Sequence, residues 1–192
     1  MDNTSIEKPE NTLKMHPQKF ALWIFIVSVV MMFGGFTSAY IVRQAEGNWD
    51  VFELPNILYV STAVIILSSV TMHWAVMEAR KDNFAKLKLA MVVTTVLGAA
   101  FLVLQFLGWG ELVDINVYFS FSNPSNSFVY VLTGLHAIHV ISAVIYLLVT
   151  LYSAISMKVH SRNMARIEMC ATYWHFLDGL WVYLFLFMLL NR

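Results

Sequence analysis

The chain has 192 residues, 59% of them hydrophobic and only 12% charged, with no formal net charge and a mean hydropathy of +0.67. Soluble domains carry roughly 25% charged residues, so this composition excludes an ordinary soluble fold and points to a polytopic membrane protein. The lack of a basic block excludes nucleic acid as a partner. The single cysteine, Cys170, excludes an internal disulfide framework and a Cys-x-x-Cys-His haem attachment.

Residues 1–18 are polar and mixed in charge, with Pro9 and Pro17, and lack the apolar core and cleavage site of a secretory signal. They read as a polar amino-terminal tail. Five apolar stretches follow: Phe20–Val42, Leu54–Met77, Leu89–Trp109, Ser127–Ser156 and Cys170–Leu190. Each reaches the roughly 20 residues that span a hydrocarbon core about 30 Å thick. Lipid cannot satisfy open backbone groups, so the stretches are expected to be helices. The expected fold is therefore all-α, a bundle of five transmembrane helices forming one domain over residues 19–192.

Orientation follows from the loops. Lys8, Lys14, Lys19, Arg80, Lys81, Lys86, Lys88, Lys158, Arg162 and Arg166 fall on one side, leaving only Arg43 and Arg192 on the other. By the positive-inside rule the amino terminus is expected inside and the carboxyl terminus outside. On the outer side, Gly110 to Asn126 reads as a loop. Its aromatics Tyr118, Phe119 and Phe121 are expected at the bilayer interface, as are Tyr40, Trp49 and Trp109. On the first helix, Gly34-Gly35 and Ser38-Ala39 form a small-residue patch that reads as a packing seam.

Polar groups inside the spans are costly, and each needs a partner or a task. His73, His136, His139 and His175 lie within spans, as does Gln105. On the last helix, Glu168, Thr172, His175, Asp178 and Val182 fall on one face at helical spacing. Three roles suit such groups. The first is metal or haem ligation by His136, His139, His175 and Asp178, since imidazole and carboxylate suit copper or zinc. The second is interhelical hydrogen bonding, with a fourth-helix imidazole meeting Asp178, Thr172 or Gln105. The third is a short proton relay on the inner side, through Glu168, His175 and Asp178. Packing and proton contact account better for the set than ligation, because intramembrane polar groups most often serve packing or relay, and His175 lies nearer the inner surface than His136 does, which suits a bis-His haem poorly. No nucleophilic triad, Gly-rich phosphate loop or His-Glu-x-x-His motif is present.

Two segments resemble a known family. Tyr173-Trp174-His175-Phe176-Leu177-Asp178-Gly179-Leu180-Trp181, with Glu168 upstream, is similar to the terminal-helix signature of subunit III of the haem-copper oxidases. Leu132-Thr133-Gly134-Leu135-His136-Ala137-Ile138-His139-Val140 resembles that family's Leu-Thr-Gly-x-His-x-x-His-Val helix. Asn56 to Ala75, with His73-Trp74-Ala75, and Phe101 to Gln105 add weaker similarity. Two family carboxylates are replaced, by Val29 on the first helix and Gly108 on the third.

The resemblance implies the family's short five-helix form. It implies an accessory subunit without haem or copper of its own, those cofactors residing in partner subunits. Its expected partners are subunit I, in direct contact, subunit II and other oxidase subunits, and membrane lipids including a structural phospholipid. The expected location is the bacterial inner membrane. Under this reading Gln105, His136, His139, Glu168, His175 and Asp178 serve packing or inner-side proton contact. His73, Trp74, Trp174 and Trp181 are expected against lipid or at the interface. The alternatives are a quinol-oxidase or nitric-oxide-reductase-associated homologue, a stand-alone haem- or copper-binding enzyme, and an unrelated transporter.

Overall fold

A computed structural model describes residues 17–47, 49, 52–119, 124–155 and 164–191. Five helices account for nearly all of these: α1 (Pro17–Ala45), α2 (Asn56–Arg80), α3 (Phe84–Asp114), α4 (Pro124–Ile155) and α5 (Ala165–Leu190). All five are long and apolar enough to cross a membrane. The chain is an integral, multi-pass membrane protein. Residues 1–16, and with them most of the expected tail, lie outside the described residues, as do Lys158, Arg162 and Phe121.

α2, α3, α4 and α5 form a closed four-helix ring, in which each packs against its two neighbours. α1 stands outside the ring, seated in the groove between α4 and α5, and its backbone does not approach α2. The side chains are distributed as the bilayer requires. Outward positions are apolar, as at Met31, Val70 and Ile138, whereas Ser61, Ser68, Thr94, Gln105, Thr133, His136 and Asp178 are buried. Lipid matches Leu and Val but leaves hydroxyls and amides unpaired, so polar groups gain by turning inward.

α3 runs further than the sequence suggests. It carries Glu111 and Asp114 in its last turn, where an outer loop is expected from Gly110. Leu112 is fully buried and holds this turn to the core. The stop comes at Asn116, in the left-handed region (φ 62°), where Val117 N–H bonds the Leu112 carbonyl at 2.9 Å. α2 ends the same way: Asp82 takes φ 52° and Asn83 N–H bonds the Glu78 carbonyl at 3.1 Å. Both are the crossed carbonyl closures that end many helices, with Asn or Asp in the position Gly usually fills. The Asn83 side chain then accepts from Lys86 N–H and starts α3. A turn this short sets α2 and α3 antiparallel.

The small-residue patch on α1 is not a seam within this chain. Gly34, Gly35, Ser38 and Ala39 are exposed, and a methyl added at either glycine would meet nothing. The close approach lies elsewhere, at Gly98 on α3. A Cβ there would fall 2.6 Å from Cη2 of Trp174, so α5 lays its indole directly on the α3 backbone. Gly98→Ala should therefore displace Trp174 and lower stability by about 1–3 kcal/mol. Gly110, with open space around it, is the control position. Thermal denaturation in detergent should show a clear loss for Gly98→Ala beside little change for Gly110→Ala.

Candidate functional site

The polar groups of α5 descend from one end of the bundle, where α1, α3 and α5 begin and α2 and α4 finish. Glu168 is in the first turn, and His175 and Asp178 follow at depths of about 15 and 20 Å along the helix, at 1.5 Å per residue. α1 and α2 flank α5 without their backbones approaching each other, which leaves a cleft of about 440 Å³ floored by α5. Lys19 and Trp23 of α1, His73 and Arg80 of α2, and Glu168 and His175 of α5 line it.

Glu168 joins the two walls. Its carboxylate lies 3.0 Å from Lys19 Nζ and 3.7 Å from Arg80 Nη2. All three side chains are partly exposed, so each pair contributes at most about 1 kcal/mol. Deeper, the Ser69 hydroxyl of α2 lies 2.6 Å from His175 Nδ1. Asp178 is buried at 5% exposure, and its Oδ2 has no partner among the described residues. Nor does a cation meet it there: Lys19 and Arg80 are engaged at the mouth of the cleft.

The fourth-helix histidines behave differently from expectation. His136 is fully buried, yet neither ring nitrogen has a hydrogen-bond partner among the described residues. It is held by rings instead, with centroids 5.1 Å from Trp181, 6.0 Å from Phe101 and 6.5 Å from Phe33. His139 Nδ1 bonds the Leu135 carbonyl of its own helix at 2.7 Å, and its ring meets Phe25 and Phe33 of α1. The pairing of these imidazoles with Asp178, Thr172 or Gln105 does not form. Thr172 bonds back to the Glu168 carbonyl and Gln105 donates to Ser61. His139 and Thr172 each take a backbone carbonyl one turn back on their own helix instead. Among the described residues, no three His, Cys, Asp or Glu side chains gather closely enough to hold a metal ion.

Hydroxyls fix the bundle's register. Trp174 Nε1 donates to Ser68 Oγ at 2.8 Å and Trp181 Nε1 to Thr62 Oγ1 at 3.0 Å, both from α5 to α2. Gln105 reaches Ser61 at 3.0 Å, Trp109 reaches Thr133 at 3.0 Å, and Thr71 meets Thr94 at 2.8 Å. Trp174 and Trp181 are thus core residues, at 2% and 0% exposure, and the expectation that they face lipid is corrected. Each indole N–H needs a partner and finds it on the ring's inner surface, not among lipid tails. Trp109 bonds inward as well, and Tyr40 is buried with its hydroxyl on the Asn191 carbonyl. Tyr118 and Phe119 are exposed. His73 is exposed at the cleft, and Trp74 is half-buried against the core.

Val29 and Gly108, the two positions where the resemblance leads one to expect a carboxylate, are closed. Val29 is buried at 3%. At Gly108 a Cβ would sit 3.1 Å from Ile57 Cγ2 and 3.2 Å from Leu58 Cδ2, so α2 occupies the space a longer side chain would need.

With five membrane-length helices and the α5 signature in place, likeness to known proteins is specific. The family model described as cytochrome c oxidase subunit III matches residues 7–191. The chain belongs to this family. Cytochrome c oxidase subunit 3 of Bacillus sp. (strain PS3) is 25% identical over 179 residues, covering 91% of this chain and 86% of its own length. Cytochrome bo(3) ubiquinol oxidase subunit 3 of Pseudomonas aeruginosa is 29% identical over 171 residues, covering 86% and 81%. Cytochrome c oxidase subunit 3 of Thermostichus vulcanus is 28% identical over 183 residues, covering 88% and 86%. In this subunit III family member, the terminal-helix signature divides into two faces. Trp174 and Trp181 bind α2 hydroxyls in the core, while Glu168 and His175 line the cleft.

Ser68→Ala and Thr62→Val each strand one buried indole N–H. Each should cost about 0.6–2 kcal/mol, read as a lower melting temperature in detergent. Equal melting of both variants and the parent protein would remove the hydroxyl–indole bonds from the list of stabilising contacts.

Proposed function

We propose that the chain is a non-redox accessory subunit of a respiratory haem-copper terminal oxidase, in which it packs against catalytic subunit I in a bacterial inner membrane. Family membership over nearly the whole length carries this reading. Cytochrome c oxidase and ubiquinol oxidase subunits both stand among the relatives, in keeping with a scaffold that takes no part in choosing the electron donor. The bundle supports a scaffold role too, because its intramembrane polar groups are largely spent on packing. Haem and copper belong, in this reading, to the partner subunits.

The unfilled small-residue stripe on α1 supports a contact with a helix outside this chain. Gly34, Gly35, Ser38 and Ala39 present a flat outward strip, and such strips let two membrane helices approach closely. The cleft supports contact with protons and lipid at the basic end, assigned to the cytoplasmic side by the charge bias. His73 and His175 are its proton carriers. Lys19 and Arg80, with Trp23 beside them, suit the headgroup of a structural phospholipid.

Affinity-tagged chain purified from its native membrane should bring down a haem-containing catalytic subunit in fixed ratio. Gly35→Leu should reduce that retention severalfold while the helix content of the chain is unchanged. Recovery of the chain alone, carrying stoichiometric haem or copper, would sink the accessory-subunit reading. Full retention in Gly35→Leu would move the partner contact off α1.

A further inference from the structure

We propose that His73 of α2 and His175 of α5 form a two-imidazole site for a nitrogen-preferring divalent metal ion of the zinc class, with Ser69 holding the inner imidazole in place. As a binding site it goes beyond the accessory role and needs no partner subunit.

The register of α2 against α5 brings the two rings together. Ser69, His73, Val76 and Arg80 follow one another at spacings of four, three and four, along one face of α2. Glu168, Thr172 and His175 do the same on α5. The helices run antiparallel, and two contacts fix their alignment: Ser69 Oγ lies 2.6 Å from His175 Nδ1, and Arg80 Nη2 lies 3.7 Å from Glu168 Oε1. His73 falls between these rungs, with its ring centroid 6.4 Å from that of His175. Both side chains line the open cleft.

One metal ion can span that separation. With zinc–nitrogen bonds of about 2.0–2.1 Å, each bound imidazole centres about 3.2 Å from the metal. Two rings then lie about 5 Å apart at the tetrahedral angle and about 6.4 Å apart when opposed. The observed distance is the outer end of this range. His73 is exposed, so a rotation of its side chain closes the rest.

His175 is fixed where His73 is free. Its Nδ1 is committed to Ser69, which orients the ring and leaves Nε2 as the nitrogen that can ligate. A ligating histidine whose other nitrogen donates to a fixed oxygen is the usual arrangement around protein-bound metals. Ser69 is thus a positioning residue. Among the described residues, no third His, Cys, Asp or Glu stands close enough to complete a set of three, and cleft water supplies the remaining positions. Two protein ligands make a weaker site than the closed four-ligand sites of structural zinc.

Charge does not draw the ion in. Lys19 of α1 and Arg80 of α2 line the cleft, and Glu168 of α5 opposes them from between the two. Glu168 is two turns from His175, about 10 Å along the helix, too far to ligate the same ion. Imidazole lone pairs do the holding, which selects zinc or copper(II) over magnesium and calcium, ions that take oxygen ligands. A bound ion ties α2 to α5 across the cleft and occupies the nitrogens on which the proposed proton contact depends. Its effect as an inhibitor rests on that earlier reading; its binding does not.

Calorimetric titration with zinc chloride tests the site on the tagged chain, purified in detergent with whatever subunits accompany it. The parent should bind one zinc ion more than the double variant His73→Gln/His175→Gln, and excess magnesium should not displace it. Either substitution alone should weaken that binding by about tenfold or more, and Ser69→Ala should weaken it by about 10–100-fold, with Ser69→Thr restoring it. Zinc should also raise the melting temperature further in the parent than in the double variant, since a ligand of the native state stabilises it. Equal zinc binding by the parent and the double variant would overturn the site and leave two histidines bridged by water. Binding lost in His175→Gln but kept in His73→Gln would overturn the pairing, and unchanged affinity in Ser69→Ala would overturn the positioning role. Should His175→Gln fail to assemble, His73→Gln against the parent decides the matter, because that side chain is exposed.

Discussion

Hydrocarbon offers no hydrogen bonds, and that one constraint orders everything inside this bundle. An indole N–H or an amide left unpaired at mid-membrane costs free energy that van der Waals packing does not return. The chain answers with hydroxyls. Ser61, Thr62 and Ser68 on α2, Thr133 on α4 and Thr94 on α3 each sit where a neighbouring helix brings a Trp, Gln or Thr. Most of these hydroxyls also bond a carbonyl one turn back, as Thr94 does to Ala90 and Thr133 to Val129. They are thus satisfied before the helices meet, and the incoming donor adds a second bond. Small hydroxyls that cap themselves in this way enter the helix interfaces already satisfied.

α2 becomes the register-setting helix as a result. It receives both tryptophans of α5 and the glutamine of α3, and it lies between those two helices in the ring. Gly98 completes the arrangement from α3, since Trp174 reaches Ser68 only by lying across the backbone there. Bond and close approach fix the same indole from two sides. Neither contact alone would specify the rotation of α5.

Much of this was legible in the sequence. Five apolar runs of membrane length dictate five helices, and the Glu168 to Trp181 signature names the family that the comparison establishes. The partners were not legible. Small hydroxyl positions do not stand out by composition: Thr62, Ser68 and Ser69 look like neutral passengers in an apolar run, and their use depends on which helix lies alongside. The histidines drew the eye because they are expensive, yet His136 is stabilised by three aromatic rings and not by a hydrogen bond. The extra turns of α3 were hidden because Glu111 and Asp114 read as loop residues, while burial of Leu112 holds that turn helical. The place of α1 was hidden for a related reason. Its sequence is apolar all round, so no face announces a neighbour, and its seat between α4 and α5 follows from fitting Phe33 against His136 and His139.

That placement of α1 also makes the cleft. Had α1 packed beside α2, its neighbour in the chain, the floor of α5 would be covered and Glu168 would have lost its access to water. With α1 displaced, the polar groups of α5 fall in an order set by how each can manage charge at its depth. Glu168, nearest the surface, keeps an anion between two cations. His175, deeper, is a group that is neutral in its usual resting form and meets only a hydroxyl and another imidazole. Asp178, deepest, is buried, with its Oδ2 unpartnered among the described residues. Beyond it α5 carries no ionisable group except the phenol of Tyr183 until the chain emerges near Asn191. The order, from an ion-paired carboxylate to a hydroxyl-bonded imidazole to a buried carboxyl, follows the falling capacity of the surroundings to solvate a charge.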